Sequence, residues 1–521
     1  MAARPMPVAL VLHAHLPHVV GGGPWCPTER WLHEAIWECY LPLVAMLDGL
    51  AADDVGGSLT VSVSPPLASM LADPTLGERF ARYLGALTEL NDEQRRSGRR
   101  RHFSAAWELY RQRLGWTRTA WRERDGDLLG GLARHRRRGR IELWTTTASH
   151  AYLPGLRAVP GAAAAQLRIG QASFAALTAI DAQSLWLPEC GFDDTVDEAL
   201  ATVGCPYTIL DEHALRFADP RPAAGAALQT RAGVVVLPRN RAMTHLVWDA
   251  RHGYPGHPCY REFHHDLGLE LGASELGPFG PGAPTGLKAY RITARDGRDK
   301  APYDPRAAQT QVQRDATDFV TRLEAVARSG APFVVAAFDA ELFGHWWFEG
   351  PEFLAQVLGG LHRSPTLTAA TVGATVAAAA TTRAQPTGSS WGRGGFGGVW
   401  VGPRTAWLWR HVHHAHATVQ GALRGDESLS AERAAARDEA IRELLLLEAS
   451  DWAFLIDGDG DGAALARRRV ARHHGRAMAL AAIAAGRRQP DPTERQQLTA
   501  PANPSSFLHE LSGPALWAAF C

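Results

Sequence analysis

The stretch VALVLHAHLPH, residues 8–18, decides the interpretation of this chain. Its first five residues are apolar and predict a buried strand, and His13 and His15 follow directly at its end. Because side chains alternate along a strand, the two imidazoles are expected on the same face. Further apolar runs of the same type occur at 59–63, 141–146, 184–187, 207–210, 233–237 and 333–338.

Segments of helical composition lie between several of these seven predicted strands, for example at 164–180 and 311–328. Strands that alternate with helices favour βα units and a parallel sheet. Most of the runs end in a polar or ionisable residue, which is the expected layout of an active site at the carboxyl ends of barrel strands. An open doubly wound sheet is disfavoured, because no glycine-rich phosphate loop follows the first run. We therefore expect an α/β fold of the barrel type.

The domain organisation follows from where the strand signals stop. Residues 1–400 are expected to form the catalytic unit, with a helical insertion at about 75–138. The alanine-rich segment 369–383 predicts a last helix of this unit. Residues 401–521 are expected to form an all-helical C-terminal domain, whose clearest predicted helix covers 431–452.

Composition limits the possible functions. The 54 Lys and Arg residues balance the 54 Asp and Glu residues, so there is no net charge to attract nucleic acid or an anionic membrane surface. The N-terminus lacks a signal peptide's long apolar stretch, and the six cysteines form no CxxC pair, which predicts a cytoplasmic protein without a disulfide framework. The 17 Trp against 9 Tyr are either core residues or flat platforms for an uncharged ligand such as a sugar.

Two carboxylates stand out because each directly follows a predicted buried strand. Glu189 lies in SLWLPECGF and Asp339 in FVVAAFDAEL. Cleavage of a glycosidic bond uses two such groups, one as nucleophile and one as proton donor, about 5–5.5 Å apart when configuration is retained. The alternative is that each carboxylate only caps a helix, which we favour for one carboxylate alone but not for both.

The histidines leave two interpretations open. His13 and His15 could bind a metal together with His150, Asp339 or His345, or they could hydrogen-bond to sugar hydroxyls. The glycine-rich segment SSWGRGGFGGVWV, 389–401, is similarly either a ligand-binding loop with two stacking indoles or a structural loop.

Taken in order, several motifs of the chain resemble those of glycoside hydrolase family 57, and within it the 1,4-α-glucan branching enzyme group. These motifs are HAHLPH at 13–18, TTTASH at 145–150, WLPECGF at 186–192, GYPGHPCYREF at 253–263, FDAELFGHWWFEGPEF at 338–353, SSWGRGGFGGVW at 389–400 and EASDWAFL at 448–455. They extend over nearly the whole chain. The WLPECGF and FDAELFGHWWFEGPEF motifs are long and specific, whereas HxH alone is weak evidence for the family.

The resemblance implies a distorted (β/α)7 barrel with a helical insertion and an all-helical C-terminal domain, and a retaining mechanism without metal or cofactor. By motif position, Glu189 is the expected nucleophile and Asp339 the expected general acid/base. The residues expected to contact an α-glucan polysaccharide are His13, His15, Trp25, His150, Arg261, Gly277, His345, Trp346, Trp391, Trp400 and Asp451.

The chain departs from the family pattern at one place. Branching members carry a tyrosine on a mobile loop between the WLPE and GYPG motifs, but this chain has no tyrosine between Tyr207 and Tyr254. The corresponding stretch is RFADPRPAAGAALQTRAG, 216–233. Since such a loop shields the glucosyl-enzyme from water, its loss leaves the balance between transfer and hydrolysis open.

We therefore expect a 1,4-α-glucan branching enzyme, with an α-glucan hydrolase or a 4-α-glucanotransferase as alternatives of the same family. A metal-dependent deacetylase or amidohydrolase built on His13, His15 and Asp339 is a more distant alternative. A non-catalytic glucan-binding module is disfavoured, because it has no need for two carboxylates at strand ends.

Overall fold

The computed structural model describes residues 4–55, 58–223, 225–293, 300–423, 429–500 and 505–521. The strands in these ranges are β1 (Met6–Ala14), β2 (Leu59–Val63), β3 (Ile141–Trp144), β4 (Tyr207–Asp211), β5 (Ala227–Gln229), β6 (Val235–Arg239), β7 (Val334–Asp339), β8 (Leu367–Ala370) and β9 (Thr381–Arg383).

The α-helices alternate with these strands in the first part of the chain and follow them in the last part. They are α1 (Pro27–Ala35), α2 (Leu41–Ala52), α3 (Pro65–Ala72), α4 (Pro74–Ser97), α5 (Ser104–Glu123), α6 (Leu128–Arg137), α7 (Ala162–Thr178), α8 (Asp194–Thr202), α9 (Glu212–Arg216), α10 (Arg241–Trp248), α11 (Ala273–Leu276), α12 (Pro305–Arg328), α13 (Gly350–Arg363), α14 (Val372–Ala378), α15 (Ala406–Leu423), α16 (Ala431–Leu447), α17 (Ser450–Gly458), α18 (Asp461–Ala484), α19 (Pro492–Thr499) and α20 (Gly513–Phe520).

The parallel strands form a closed ring. β3, β2, β1 and β7 pair side by side in that order, and β4 pairs with β6 in a second sheet. The Asn240 N–H, just after β6, donates to the Val335 carbonyl of β7 at 2.7 Å. On the opposite side, segment 184–187 joins β3 through a parallel bridge between Thr145 and Leu185. The prediction of a distorted (β/α)7 barrel is therefore confirmed.

Segment 184–187 was predicted to be a strand, and that prediction is wrong in detail. The segment makes an isolated bridge to Thr145, and the Thr208 hydroxyl donates to the Leu185 carbonyl at 2.8 Å in place of a backbone ladder. Pro188 follows at once and begins a short 3₁₀ turn, Pro188–Cys190. Because proline lacks an N–H and fixes its own φ, the extended conformation ends before a ladder forms.

The alanine-rich segment 369–383 was predicted to be one helix, and only its middle part is helical. Its first residues belong to β8, which pairs with the beginning of β1, and its last residues form β9, which pairs with β5. Helix α14 lies between them and begins at Thr371, whose hydroxyl accepts from the Ala374 N–H at 3.1 Å. Pairing with neighbouring strands outweighs the helix propensity of alanine here.

The predicted helical insertion is helical in the structure, with α4, α5 and α6 covering most of 75–138. The Asp73 carboxylate caps α4 by accepting from the Thr75 N–H at 2.8 Å, and the helix ends at Gly98, whose φ is +62°. Aromatic side chains on these helices, including Phe80 and Trp107, are fully buried in the main core.

From α15 onward, the part of the chain that the structure describes contains helices and no strand. The helix predicted over 431–452 is divided into α16 and α17 at Glu448 and Ala449. This division matters for the site, because it places Ser450 and Asp451 in the first turn of α17 at the mouth of the barrel.

Residues Pro27–Ala52, which include α1 and α2, form a helical stretch that is long and apolar enough to cross a membrane by composition alone. Within the protein, 61% of its most apolar window is buried. Leu32, Trp37 and Leu41 have no exposed surface and belong to the main hydrophobic cluster, as expected of a core helix.

Candidate active site

The carboxyl ends of the barrel strands bring polar side chains together. In the strand register, His13 of β1 lies beside Ser62 of β2 on one side and beside Asp339 of β7 on the other. Asp211 and Arg239 face each other at the ends of β4 and β6 and form an ion pair. This is the end of a barrel at which enzymes of this architecture place their reacting groups.

Glu189 lies in the 3₁₀ turn that follows segment 184–187. Its φ is +63°, and that of Cys190 is +50°, a left-handed conformation that costs energy for residues other than glycine. The turn directs the carboxylate toward two donors: the Trp391 indole N–H donates to Oε2 at 2.8 Å, and the Ser450 hydroxyl donates to Oε1 at 2.9 Å. Each carboxylate oxygen of Glu189 therefore has a hydrogen-bond donor.

Asp339 lies at the end of β7 in a different environment. Among the residues that the structure describes, none donates a hydrogen bond to its carboxylate. Burial raises the pKa of Asp339 well above its usual value, the negative charges of Glu341 and Glu189 raise it further, and Arg239 opposes the shift. Asp339 is therefore suited to hold a proton at neutral pH.

The two carboxylates thus differ in the way that acid/base chemistry requires. Burial also raises the pKa of Glu189, to about 7, but the hydrogen bonds from Trp391 and Ser450 act against this shift. A pair of interacting carboxyl groups shares its protons, and the member that lacks donors keeps the proton longer. The predicted roles of Glu189 as nucleophile and Asp339 as proton donor are compatible with this difference and stay predictions.

The predicted histidines are close neighbours behind the carboxylates. His13 Nε2 lies 2.9 Å from His150 Nε2, and the His15 ring stacks on the His150 ring with centroids 3.7 Å apart. His15 Nε2 lies 3.2 Å from Asp451 Oδ1, and its Nδ1 lies 2.8 Å from the Ser64 hydroxyl. The structure therefore brings together four of the predicted binding residues, from β1, from the segment after β3 and from α17.

Burial keeps His13 and His150 uncharged. Desolvation, with smaller contributions from neighbouring imidazoles, holds the pKa values of both rings well below the usual value. A neutral imidazole donates through one nitrogen and accepts through the other. Each of these two rings already has a polar partner within 3.2 Å of both nitrogens.

These contacts do not favour the metal-dependent alternative. Among the described residues, two groups of three have ligand atoms close enough together to hold one ion. The first is His15, His150 and Asp451, and the second is Glu34, Glu38 and His345. Neither group contains the predicted set of His13, His15 and Asp339. Both ring nitrogens of His150 are in addition engaged by His13 and Ser450.

Comparison with the sequence profiles of known families shows which family the chain belongs to. Residues 9–378 match the sequence profile of Glycosyl hydrolase family 57, and residues 411–507 match that of the C-terminal region of 1,4-alpha-glucan branching enzyme. The chain belongs to glycosyl hydrolase family 57. The family 57 profile covers the barrel strands β1 to β8 and both carboxylates, and the second profile covers α16 and α17.

Two curated relatives are similar to the chain over most of its length. The probable 1,4-alpha-glucan branching enzyme Rv3031 of Mycobacterium tuberculosis is 32% identical over 524 residues, with 94% of each chain covered. The 1,4-alpha-glucan branching enzyme TK1436 of Thermococcus kodakarensis is 29% identical over 513 residues, which cover 89% of this chain and 72% of the relative.

Two solved structures have the same fold as this chain. The alpha-amylase AmyC from Thermotoga maritima superimposes with a TM-score of 0.85 at 30% identity and covers 95% of this chain and 96% of its own. The GH57-type branching enzyme from Pyrococcus horikoshii gives a TM-score of 0.86 at 26% identity and covers 98% and 96%. An alpha-amylase and a branching enzyme thus superimpose on this chain almost equally well.

The Trp391 indole directly contacts one of the two candidate catalytic carboxylates, Glu189. Besides donating to Glu189, it packs against Trp186 and lies under the Arg239 guanidinium, which is 5.3 Å from its ring centroid. Trp248, at the end of α10, stacks beside Trp391 with centroids 6.3 Å apart and is 51% exposed. Together they present an open aromatic surface next to the nucleophile.

Trp400 and Trp25 are placed differently. Trp400 is fully buried and stacks on Tyr152 at 5.1 Å, so it fills the core and presents no open face. Trp25 is partly exposed and packs edge-on against Phe279, two residues after Gly277. Trp25 therefore packs against the segment that contains Gly277. The role of both residues in glucan binding stays a prediction.

Arg261 and His345 meet through Glu38. The Arg261 guanidinium lies 2.7 Å from Glu38 Oε1, and His345 Nδ1 lies 2.8 Å from Glu38 Oε2. Burial opposes ionisation of Glu38, but Arg261, Lys288 and His345 outweigh it and lower its pKa to about 2. Arg261 is itself buried, so the structure shows it supporting His345 through Glu38; its contact with substrate remains a prediction.

Trp346, next to His345, is 45% exposed and lies 4.5 Å from the Phe263 ring. Its side chain is accessible from solvent, and its predicted contact with substrate stays a prediction. Two residues of the site were not predicted, Ser450 and Trp248. Ser450 lies inside the recognised EASDWAFL motif, directly before Asp451, and Trp248 lies shortly before the GYPG motif. The sequence signal that could have pointed to Ser450 and Trp248 is their position next to these family motifs.

Proposed function

We propose that this protein is a 1,4-α-glucan branching enzyme. The observation that carries the proposal is the pair of carboxylates at the barrel mouth, Glu189 with a donor to each oxygen and Asp339 without a donor among the described residues. The pair occurs in a chain that matches curated branching enzymes over 94% of its length and matches their C-terminal region as well.

In the proposed reaction, Glu189 attacks the anomeric carbon of an α-1,4 linkage while Asp339 gives its proton to the departing 4-oxygen. The bond to the leaving chain breaks as the bond to Glu189 forms, which leaves a covalent glucosyl-enzyme and an ionised Asp339. Asp339 then takes the proton of a glucan 6-hydroxyl, which attacks the same carbon and releases Glu189. The product is an α-1,6 branch with retained configuration.

A second candidate, an α-glucan hydrolase, is favoured by a specific observation at the barrel mouth. The stretch 216–233 lacks the loop tyrosine, and apart from Ala224, which lies outside the described residues, it contains the end of α9 and strand β5. Phe217, an aromatic residue directly after α9, is 61% exposed. If this stretch excludes water poorly, water takes the place of the 6-hydroxyl.

Product analysis on amylose separates these functions. We expect new α-1,6 linkages, measured by debranching and by proton NMR, to outnumber new reducing ends. An excess of reducing ends would instead identify a hydrolase. Redistribution of chain lengths with neither product would identify a 4-α-glucanotransferase.

The pH dependence of kcat/KM should reflect the raised pKa values of Glu189 and Asp339. On the acid side we expect the rate to fall as the pH decreases through about 7, because protonation of Glu189 removes the nucleophile. On the alkaline side the rate should fall when Asp339 loses its proton, at a pH well above the usual range of an aspartate. Initial rates on amylose between pH 4 and 10 test this, and an acid limb below pH 5 would contradict it.

We further infer that the substrate is an α-glucan polysaccharide such as amylose or glycogen, bound in the cytoplasm along the open aromatic surface of Trp391 and Trp248. The absence of net charge suits a neutral polymer.

We also propose that the catalytic unit covers residues 1–400 and the helical C-terminal domain 401–521. The end of the first family profile at residue 378 and the start of the second at 411 support this division.

A further inference from the structure

A continuous line of hydrogen bonds runs from the barrel wall to Glu189. His13 Nδ1 lies 3.2 Å from the Ser62 hydroxyl, and His13 Nε2 lies 2.9 Å from His150 Nε2. His150 Nδ1 lies 2.9 Å from the Ser450 hydroxyl, which lies 2.9 Å from Glu189 Oε1. Four bonds thus connect five side chains from five separate segments, and four of the five are buried.

The direction of every bond follows from the end at Glu189. An ionised carboxylate only accepts, so the single hydroxyl proton of Ser450 points to Glu189. Ser450 must then accept from His150, whose proton is on Nδ1. Because His150 is neutral, its Nε2 accepts, and the donor is the Nε2–H of His13.

His13 is also neutral, so its Nδ1 accepts in turn, from the hydroxyl of Ser62. All four bonds point toward the nucleophile when it is ionised. If Glu189 takes up a proton and donates it to Ser450, every proton along the line must move to the opposite side, and Ser62 then donates to the Thr145 carbonyl, 3.4 Å away. The direction of the hydrogen bonds along this line therefore depends on the charge of Glu189.

We propose that Ser450, contributed by the helical C-terminal region, is a positioning residue that holds Glu189 in its attacking orientation and in its ionised form through this directed line. The inference rests on the proposed role of Glu189 as the nucleophile. Ser450 itself forms no bond to the substrate and transfers no proton to it in the mechanism above, and it acts through the carboxylate of Glu189.

The backbone around Ser450 is fixed firmly enough for this role. The Ser450 N–H donates to the His150 carbonyl at 3.0 Å, and Ala151 and Ala449 form an antiparallel bridge. Glu448 is buried and is held by Gln166 at 2.7 Å and by His416 at 2.6 Å. The serine is thus anchored on both sides of the contact with His150.

Other titratable groups also face Glu189 and must be considered in any pH experiment. They are His15, His150, Tyr152, Asp339 and Asp451. Asp451 disfavours the ionised form of Glu189 and His15 favours it. A substitution at Ser450 leaves all five of these groups in place, so it isolates the hydroxyl.

The kinetic test compares Ser450→Ala with Ser450→Thr, which keeps a hydroxyl. In the alanine variant we expect the acid limb of kcat/KM to move to higher pH by roughly one unit, which lowers kcat/KM about tenfold below the limb. The threonine variant should keep the parent limb. A uniform loss of kcat/KM in Ser450→Ala, with the limb unmoved, would show a purely structural role and overturn the proposal.

A second measurement needs no change at Ser450. In the protein labelled with ¹⁵N-histidine, at a pH above the acid limb, the ring nitrogen shifts should show the proton of His150 on Nδ1 and that of His13 on Nε2. Variants His13→Gln and His150→Gln assign the two signals. A proton on Nε2 of His150 would overturn the directed line even if Glu189→Gln is inactive, whereas an active Glu189→Gln would instead overturn the proposed function.

Discussion

Glu189→Gln should lower kcat on amylose by about 10⁴-fold or more, with product formation falling to the background rate. The amide has the size of the carboxylate but cannot form the glucosyl ester, so the covalent route is closed, and losses of this order follow removal of an enzymatic nucleophile. Single-turnover and steady-state rates on amylose, with purified variant free of parent enzyme, measure the effect. Near-normal turnover in this variant would exclude Glu189 as the nucleophile.

Two controls show that the loss is chemical. Glu212→Gln removes an exposed carboxylate that follows β4 at the same end of the barrel, and it should leave the rate unchanged. The thermal midpoint of Glu189→Gln should equal or exceed that of the parent at pH 8. Burial raises the folded-state pKa of Glu189 to about 7, so ionisation costs stability progressively as the pH rises from about 4.5 to 7, and the amide avoids this cost.

Asp339→Asn should lower kcat on amylose by roughly 10³-fold, but it should affect aryl maltosides much less in the first step. A sugar leaving group needs the proton of Asp339, whereas a nitrophenolate leaves without one. With the aryl substrate the glucosyl-enzyme should accumulate, because the base for the second step is missing. A burst of nitrophenolate in stopped-flow measurements followed by slow turnover is the expected result.

Added azide tests the same assignment through its product. As an anion that needs no base, azide should attack the glucosyl-enzyme of Asp339→Asn and restore turnover, giving a glycosyl azide of retained α configuration. In a Glu189→Ala variant, azide would instead take the place of the carboxylate and give the β product. Equal loss on both substrates without a response to azide would contradict the role of Asp339.

Much of the barrel could be predicted from the sequence because its signals are local. Apolar runs such as 8–12 and 333–338 identify buried strands, and the residue that follows each run falls at the carboxyl end of the barrel. The positions of Glu189 and Asp339 follow from this rule alone. Segment 184–187 shows its limit, since the proline that ends the run prevents a regular ladder.

The environments of the two carboxylates could not be predicted in the same way. The donors to Glu189 are 202 and 261 residues away along the chain, so no local pattern contains them. Burial of Trp400, in contrast to the partial exposure of Trp391, is likewise decided by packing against Tyr152 from another segment. The family resemblance located both indoles but did not distinguish their surroundings.

The contact between Ser450 and Glu189 also has a consequence for protein synthesis. After Glu189 has left the ribosomal peptidyl-transferase centre, 261 more residues must be added before Ser450 exists. At 5–20 residues per second this takes roughly 13–50 s. Strands β4 to β7 are made within that interval, before either of the two donors to Glu189, Trp391 and Ser450, has been added. A growing chain therefore completes the hydrogen bonds to Glu189 only after residue 450 has been added.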